Sequence, residues 1–229
     1  LEGALLTAGT CAKRTENLSR YLSRPIVKKI LEHGGDLQLG GEKVLCTVLF
    51  ADIRGFTSYS ENREPHQVVE FLNDFLTKMT RIIFDKNGTL DKYLGDGLMA
   101  IFGAPFHMTD APYWAVRSAL EMQACMSRYQ QEWEQKYGFS GRLGIGINTG
   151  EVTSGSIGSP DRMDYTVIGD SVNLGARLQA MAVKGDIVIS DDTYKLVSDR
   201  IQVEAMGPVQ VKGRMQQVDV YRILGLTSA

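Results

Sequence analysis

The stretch Val48-Leu49-Phe50-Ala51-Asp52-Ile53-Arg54-Gly55-Phe56-Thr57 places the narrowest limits on how this chain folds. Its apolar run reads as a strand covered on both faces. An acid at the end of such a strand needs a partner, because an unpaired buried charge is expensive. Gly55 permits a sharp turn. Thr57 can cap a following helix, whose first N–H groups suit phosphate. Asp52 thus reads as one half of a metal site beside a phosphate cradle. An Asp that only serves a strand-to-helix turn fits the same residues.

A second stretch bears on that choice. Asp91-Lys92-Tyr93-Leu94-Gly95-Asp96-Gly97-Leu98-Met99-Ala100-Ile101-Phe102 reads as two short strands around a tight Gly-Asp-Gly turn. Asp96 then sits at the tip and can face Asp52 if the strands are neighbours. Two carboxylates converging from adjacent strands suit a pair of magnesium ions held against a polyphosphate. An Asp-Gly hairpin by itself needs no metal.

The remaining elements follow from period and punctuation. Residues 15–33 carry apolar groups at helical spacing, with a kink or break expected at Pro25. Gly34-Gly35-Asp36 reads as a loop, and strand one covers about 43–52. A helix opens at Pro65, carries an apolar face through Phe84 and stops at Asn87-Gly88. After the hairpin, a long helix spans about 110–137, its Met122 and Met126 assigned to the core. Leu143–Gly150 reads as a strand and turn, with 151–158 as a partner strand. This βαββαβ order is that of a ferredoxin-like α+β core. An extended arm (162–168), a helix starting near Gly169 and a C-terminal α/β subdomain complete the chain. Asn173 and Arg177 stand at i and i+4, on one face of that helix, a spacing that a solvated polar pair also satisfies.

Composition excludes several classes. The chain has 229 residues and a net charge of −2, so no basic tail or patch recruits nucleic acid. Its three cysteines, Cys11, Cys46 and Cys125, share no metal or redox spacing, as expected of a reducing, cytoplasmic compartment. Its three histidines show no zinc motif. No apolar run approaches membrane-spanning length, although a larger protein that carries this domain can still be membrane-attached.

Phe50-Ala51-Asp52-Ile53-Arg54-Gly55-Phe56-Thr57, Lys92-Tyr93-Leu94-Gly95-Asp96-Gly97 and Gly169-Asp170-Ser171-Val172-Asn173-Leu174-Gly175-Ala176-Arg177-Leu178 together resemble a class III nucleotidyl cyclase catalytic domain. The likeness is strongest to bacterial, cyanobacterial-type adenylate cyclases. It divides the chain into a linker and lead-in helix (1–41) and a catalytic domain (42–229) that works as a head-to-tail homodimer. It implies that ATP is converted to cyclic AMP and pyrophosphate by in-line attack of the 3′-hydroxyl on the α-phosphorus. Asp52, Asp96 and the Ile53 carbonyl would bind two divalent ions, Mg²⁺ or Mn²⁺. Backbone N–H groups near Phe56 and Thr57 would cradle phosphate, and Lys212 would reach the terminal phosphates. Asn173 would orient the ribose and Arg177 would stabilise charge at the α-phosphate. Lys92 and Thr166 would read adenine.

The base-reading assignment has a chemical reason. Adenine offers an acceptor at N1 and a donor at its 6-amino group, and guanine offers the reverse. Lysine only donates and a hydroxyl can accept. Guanylate cyclases of the family carry glutamate where Lys92 stands, and animal membrane relatives carry Asp where Thr166 stands. The Lys–Thr pair resembles bicarbonate-stimulated members. Glu151 departs from relatives that place a phosphate-binding Arg there. The resemblance also implies an upstream regulatory domain. A guanylate or diguanylate cyclase, or a silent nucleotide-binding or dimerisation module, are the competing readings.

Overall fold

The apolar stretch before Asp52 forms an interior strand of a single sheet in the computed structural model, which describes residues 21–32, 39–183, 185–210 and 217–227. In chain order the elements are α1 (Arg24–Glu32), β1 (Gly40–Arg54), α2 (Phe56–Glu61), α3 (Pro65–Asp85), β2 (Thr89–Leu94), β3 (Gly97–Phe102), α4 (Ala111–Tyr137), β4 (Arg142–Ser159), β5 (Arg162–Ile168), α5 (Asp170–Met181), β6 (Ile187–Ser190), α6 (Asp191–Val197), β7 (Ile201–Val209) and β8 (Val218–Leu226).

The sheet order is β2-β3-β1-β4-β6-β8-β7, with β5 paired to β4. The first four strands, with α3 and α4, form the expected ferredoxin-like βαββαβ core. The C-terminal α/β part continues the same sheet through a parallel β4–β6 pairing. Period-2 alternation divides β1 between two faces. Leu49, Ala51 and Ile53 enter the main core with Phe71, Phe75, Met79, Met122 and Trp133 of α3 and α4. Cys46, Val48 and Phe50 pack on the opposite face with Met99 and Val152. Asp52 continues that second series.

Three expectations are corrected. First, Leu143 to Ser159 is one continuous strand, with no turn at Gly150 and no separate partner strand at 151–158. β1 pairs with β4 from Gly40↔Ser156 through Arg54↔Arg142. The glycines that look like a turn signal are contact points for α5. A Cβ on Gly146 would lie 2.7 Å from the Gln179 Cα, and one on Gly150 would lie 3.0 Å from the Ser171 Cβ. Second, the helical spacing of residues 15–33 does not run through 21–23, so the break expected at Pro25 falls just ahead of it and Pro25 opens a helix rather than kinking one. It stands in the first turn of α1, where its missing N–H has no partner to lose. Third, Thr57 does not cap α2. Gly55 occupies the N-cap at φ 84° and Thr57 lies inside the first turn. Gly34-Gly35-Asp36 and Lys212 lie outside the described residues.

Candidate active site

The β1–β3 ladder brings the two acids together. Asp52 is paired with Gly97, the residue after Asp96. Gly97 tolerates no side chain there: a Cβ would meet the Ala51 carbonyl oxygen at 2.6 Å and Asp52 Oδ1 at 3.1 Å. Gly95 adopts φ 69° in the two-residue turn and sets Asp96 at its tip. Burial, and next the charge of Asp52, pushes the Asp96 carboxyl above its ordinary value; its own backbone N–H and Arg54 act the other way. Among the described residues, no group of three or more His, Cys, Asp or Glu side chains converges on a point.

Arg54 was not singled out from the sequence. Its Nη1 lies 3.3 Å from Asp52 Oδ2. Its Nε donates to the Ala182 carbonyl at 3.1 Å, and its Nη2 donates to the Gln179 carbonyl. The same guanidinium thus touches a candidate metal acid and closes the C-terminal end of α5. The following turn leads into α2, whose N-terminal N–H groups have no side-chain cap. Phe56 packs beside Phe71 with ring centroids 6.4 Å apart, and Thr57 is exposed.

α5 crosses the face of the sheet that carries Asp52. Its Gly175 sits so close to β1 that a Cβ would lie 2.8 Å from Val48 Cγ2 and 3.2 Å from Phe50 Cδ2. Leu174 and Leu178 are fully buried beneath it. Asn173 is exposed on α5. Arg177 is half-buried, and its Nη1 is buried without a hydrogen-bond partner among the described residues. Such an orphaned cationic donor is costly unless an anion meets it. The N-terminal end of α5 lies against Gly150, while its C-terminal end is tied to Arg54. Within one chain, Asn173 and the Asp52–Asp96 pair therefore lie toward opposite ends of this helix. Six residue steps of β4 separate Gly150 from Gly144, the partner of Asp52, which is about 20 Å.

Lys92 and Thr166, 74 positions apart in the chain, converge on a third side chain. Thr166 Oγ1 donates to Asp91 Oδ2 at 2.9 Å, and Lys92 Nζ lies 3.5 Å from the same oxygen. The Asp91 side chain is 1% exposed. Leu90 pairs with Ala100 and Lys92 with Met99, so Asp91 is the extra residue of a β-bulge, a device that re-aims side chains. Met99 also pairs with Phe50, which puts Lys92 on the sheet face of Asp52 and α5. Burial pushes the Asp91 carboxyl up, while Lys92 and the Thr166 hydrogen bond act against it. Asp91, too, went unread in the sequence. The available signal was an acid directly before the lysine in a mostly apolar strand, where a charge requires a partner.

These residues can be set beside known proteins. Residues 42–225 match the family described as "Adenylate and Guanylate cyclase catalytic domain". The adenylate cyclase of Anabaena cylindrica is 31% identical over 222 residues, covering 92% of this chain and 43% of that protein. Adenylate cyclase 1 of Rhizobium meliloti is 28% identical over 91% of this chain and 32% of its own length. The chain thus spans less than half the length of these curated relatives. The crystal structure of the adenylyl cyclase CyaB from P. aeruginosa superposes with a TM-score of 0.78 at 37% identity, covering 81% of this chain and 96% of that one. A guanylyl cyclase crystal structure fits equally well, with a TM-score of 0.79 at 38% identity over 82% and 96% of the two chains. Fold, acid pair and relatives together establish that this chain belongs to the adenylate and guanylate cyclase catalytic domain family.

Proposed function

We propose that this domain converts ATP to 3′,5′-cyclic AMP and pyrophosphate at sites shared between two copies of the chain. The observation that carries the choice of base is the convergence of Lys92 and Thr166 on Asp91. Likeness alone does not decide it, because solved adenylyl and guanylyl cyclases match equally well. Lys92 donates to adenine N1, where guanine presents a donor instead, and Thr166 accepts from the 6-amino group.

Asp52 and Asp96 fit divalent cations: they are hard oxygen donors, and their mutual repulsion is relieved by positive charge between them. With the Ile53 carbonyl they would hold two ions, Mg²⁺ or Mn²⁺. When bound, these supply charge neutralisation at the phosphates and a more acidic ribose hydroxyl. The chain's own groups do the rest. Arg177, with its unpartnered Nη1, meets the negative charge that grows on the α-phosphate as the O3′–P bond forms and the bond to pyrophosphate breaks. Asn173 holds the ribose so that the 3′-oxygen lies in line. The uncapped N–H groups at Phe56 and Thr57 take phosphate oxygens, and Lys212 reaches the terminal phosphates.

The separation of Asn173 from the acid pair along α5 supports a site completed by a second copy in a head-to-tail homodimer. The free, buried Cys46 and Cys125 favour a reducing, cytoplasmic compartment; no described helix is long and apolar enough to cross a membrane. The Lys–Thr pair is the basis for expecting stimulation by bicarbonate. The domain boundary at 41/42 and an upstream regulatory domain belong to the same reading.

The deciding experiment is an endpoint assay of the purified chain with ATP or GTP, first with Mg²⁺ and then with Mn²⁺, with products identified by mass. Cyclic AMP as main product supports the reading. Cyclic GMP as main product retains the family and overturns the base assignment. No cyclic product from a folded dimer leaves a nucleotide-binding module as the better account.

A further inference from the structure

We infer that Asp91 is a specificity-determining positioning residue: by accepting the Thr166 hydroxyl proton, it leaves Thr166 able only to accept from the base. This rests on the proposal that Thr166 faces position 6 of the purine. A threonine hydroxyl carries one proton and two lone pairs. A hydroxyl free to rotate therefore serves the 6-amino group of adenine as acceptor and the 6-oxo group of guanine as donor. By itself it discriminates neither base.

In this structure the hydroxyl is not free. Thr166 is 7% exposed and its Oγ1 donates to Asp91 Oδ2 at 2.9 Å. That oxygen has no proton to give back when the carboxylate is ionised, so the polarity of the contact is fixed. With its proton committed, Thr166 presents lone pairs alone, and a 6-oxo group meets oxygen against oxygen. Lys92 Nζ, 3.5 Å from the same Oδ2, is drawn to the same carboxylate. One buried acid thus sets the polarity of one base-reading group and tethers the other. The bulge at Asp91 explains how consecutive residues of one strand serve a single cluster. Asp91 touches neither base nor phosphate in this scheme. It acts through Thr166 and Lys92.

The test compares turnover of ATP and ITP by wild type, Asp91→Asn, Thr166→Val and the double variant. ITP carries a 6-oxo group and a protonated N1. Its mismatch with Lys92 is common to wild type and Thr166→Val, and comparing the double variant with Thr166→Val reads any effect of Asp91→Asn that passes through Lys92, so the four ATP-to-ITP ratios of kcat/KM together isolate position 6. An Asn amide can donate to Thr166 and free the hydroxyl proton for the base. Asp91→Asn should lower the ratio roughly tenfold, the scale expected when a buried polar mismatch is removed. In the Thr166→Val background it should change the ratio no further. A merely structural role for Asp91 would reduce both substrates alike and leave the ratio intact. If Thr166→Val shifts the ratio and Asp91→Asn does not, the inference is overturned. If Thr166→Val itself leaves the ratio unchanged, the underlying reading of the base fails instead. Should Asp91→Asn not fold, the wild type still decides. The triphosphate of 6-methoxypurine riboside keeps an acceptor at N1 but offers only oxygen at position 6. It should be a poor substrate, and turnover equal to that of ATP would overturn the inference.

Discussion

Arg54 stands 3.3 Å from Asp52 with one nitrogen while another, 3.1 Å from the Ala182 carbonyl, holds the end of α5. One side chain thereby couples the carboxylate end of β1 to the helix that carries Asn173 and Arg177. Arg54→Ala leaves the Gln179 and Ala182 carbonyls without this donor. Urea unfolding should show a loss of about 1–3 kcal/mol. Arg54→Lys should recover only part of it, because an ammonium cannot span these acceptors as the planar fork does. Equal stability of Arg54→Ala and wild type would show that α5 is seated by its glycine contacts and its buried leucines without the Arg54 bonds.

Gly97 supports a sharper prediction. An alanine Cβ there would lie 2.6 Å from the Ala51 carbonyl oxygen and 3.1 Å from Asp52 Oδ1. The first neighbour is backbone in the centre of a sheet and cannot move cheaply. Gly97→Ala should cost about 1–3 kcal/mol in stability, the usual scale of overpacking. Because the same Cβ presses on Asp52, activity at limiting Mg²⁺ should fall more than activity at saturating Mg²⁺. A variant with unchanged Mg²⁺ dependence would argue that Asp52 does not face the ion from this position.

How much was legible in the sequence depends on the range of the interactions involved. β1, the Asp96 hairpin and α4 are written in local periodicity and turn chemistry, and they stand where the pattern put them. The ferredoxin-like order followed from those elements. The false turn at Gly150 has a different origin. Gly146 and Gly150 are glycines because a helix some 25 residues later lies on them, a cause that no local window contains. Thr57 reads as a cap because its hydroxyl follows a turn glycine, whereas the left-handed φ of Gly55 itself starts the helix two residues earlier. Arg54 and Asp91 were passed over for a shared reason. Each owes its role to partners more than 70 positions away, Ala182 for Arg54 and Thr166 for Asp91.

The pH dependence of stability should report on Asp74. Trp133, fully buried, donates its indole N–H to Asp74 Oδ2 at 2.6 Å, and Lys78 pairs with the other oxygen. Burial alone would raise this carboxyl, but the hydrogen bonds from Lys78 and Trp133 outweigh it and hold it below its ordinary value. A depressed folded-state pKa gives stability that is present in full above the unfolded value of about 3.9. That stability is lost as pH falls through the lower folded value. Asp74→Asn keeps an acceptor for Trp133 and removes the titration. Its stability curve should therefore be flatter than that of wild type across the acid limb, in urea melts from neutral pH down to the onset of acid unfolding. Parallel curves would remove Asp74 from the acid response.

The shared site makes the strongest demand on the dimer. Asp52→Ala removes half of the carboxylate pair, and Arg177→Ala removes the guanidinium with the unpartnered Nη1. Each homodimer should lose activity by about 100-fold or more, the scale seen when a group aimed at developing charge is deleted. In a mixed dimer, both lesions fall in one site if each site draws its acids from one copy and its arginine from the other. The second site of that mixed dimer is then intact. Random exchange of equal amounts makes half of the dimers mixed, each with one working site of two, so activity should return to about one quarter of wild type. Subunit exchange is checked separately, by mass spectrometry of differently tagged copies. Exchange without recovery would place acids and arginine in the same copy's site.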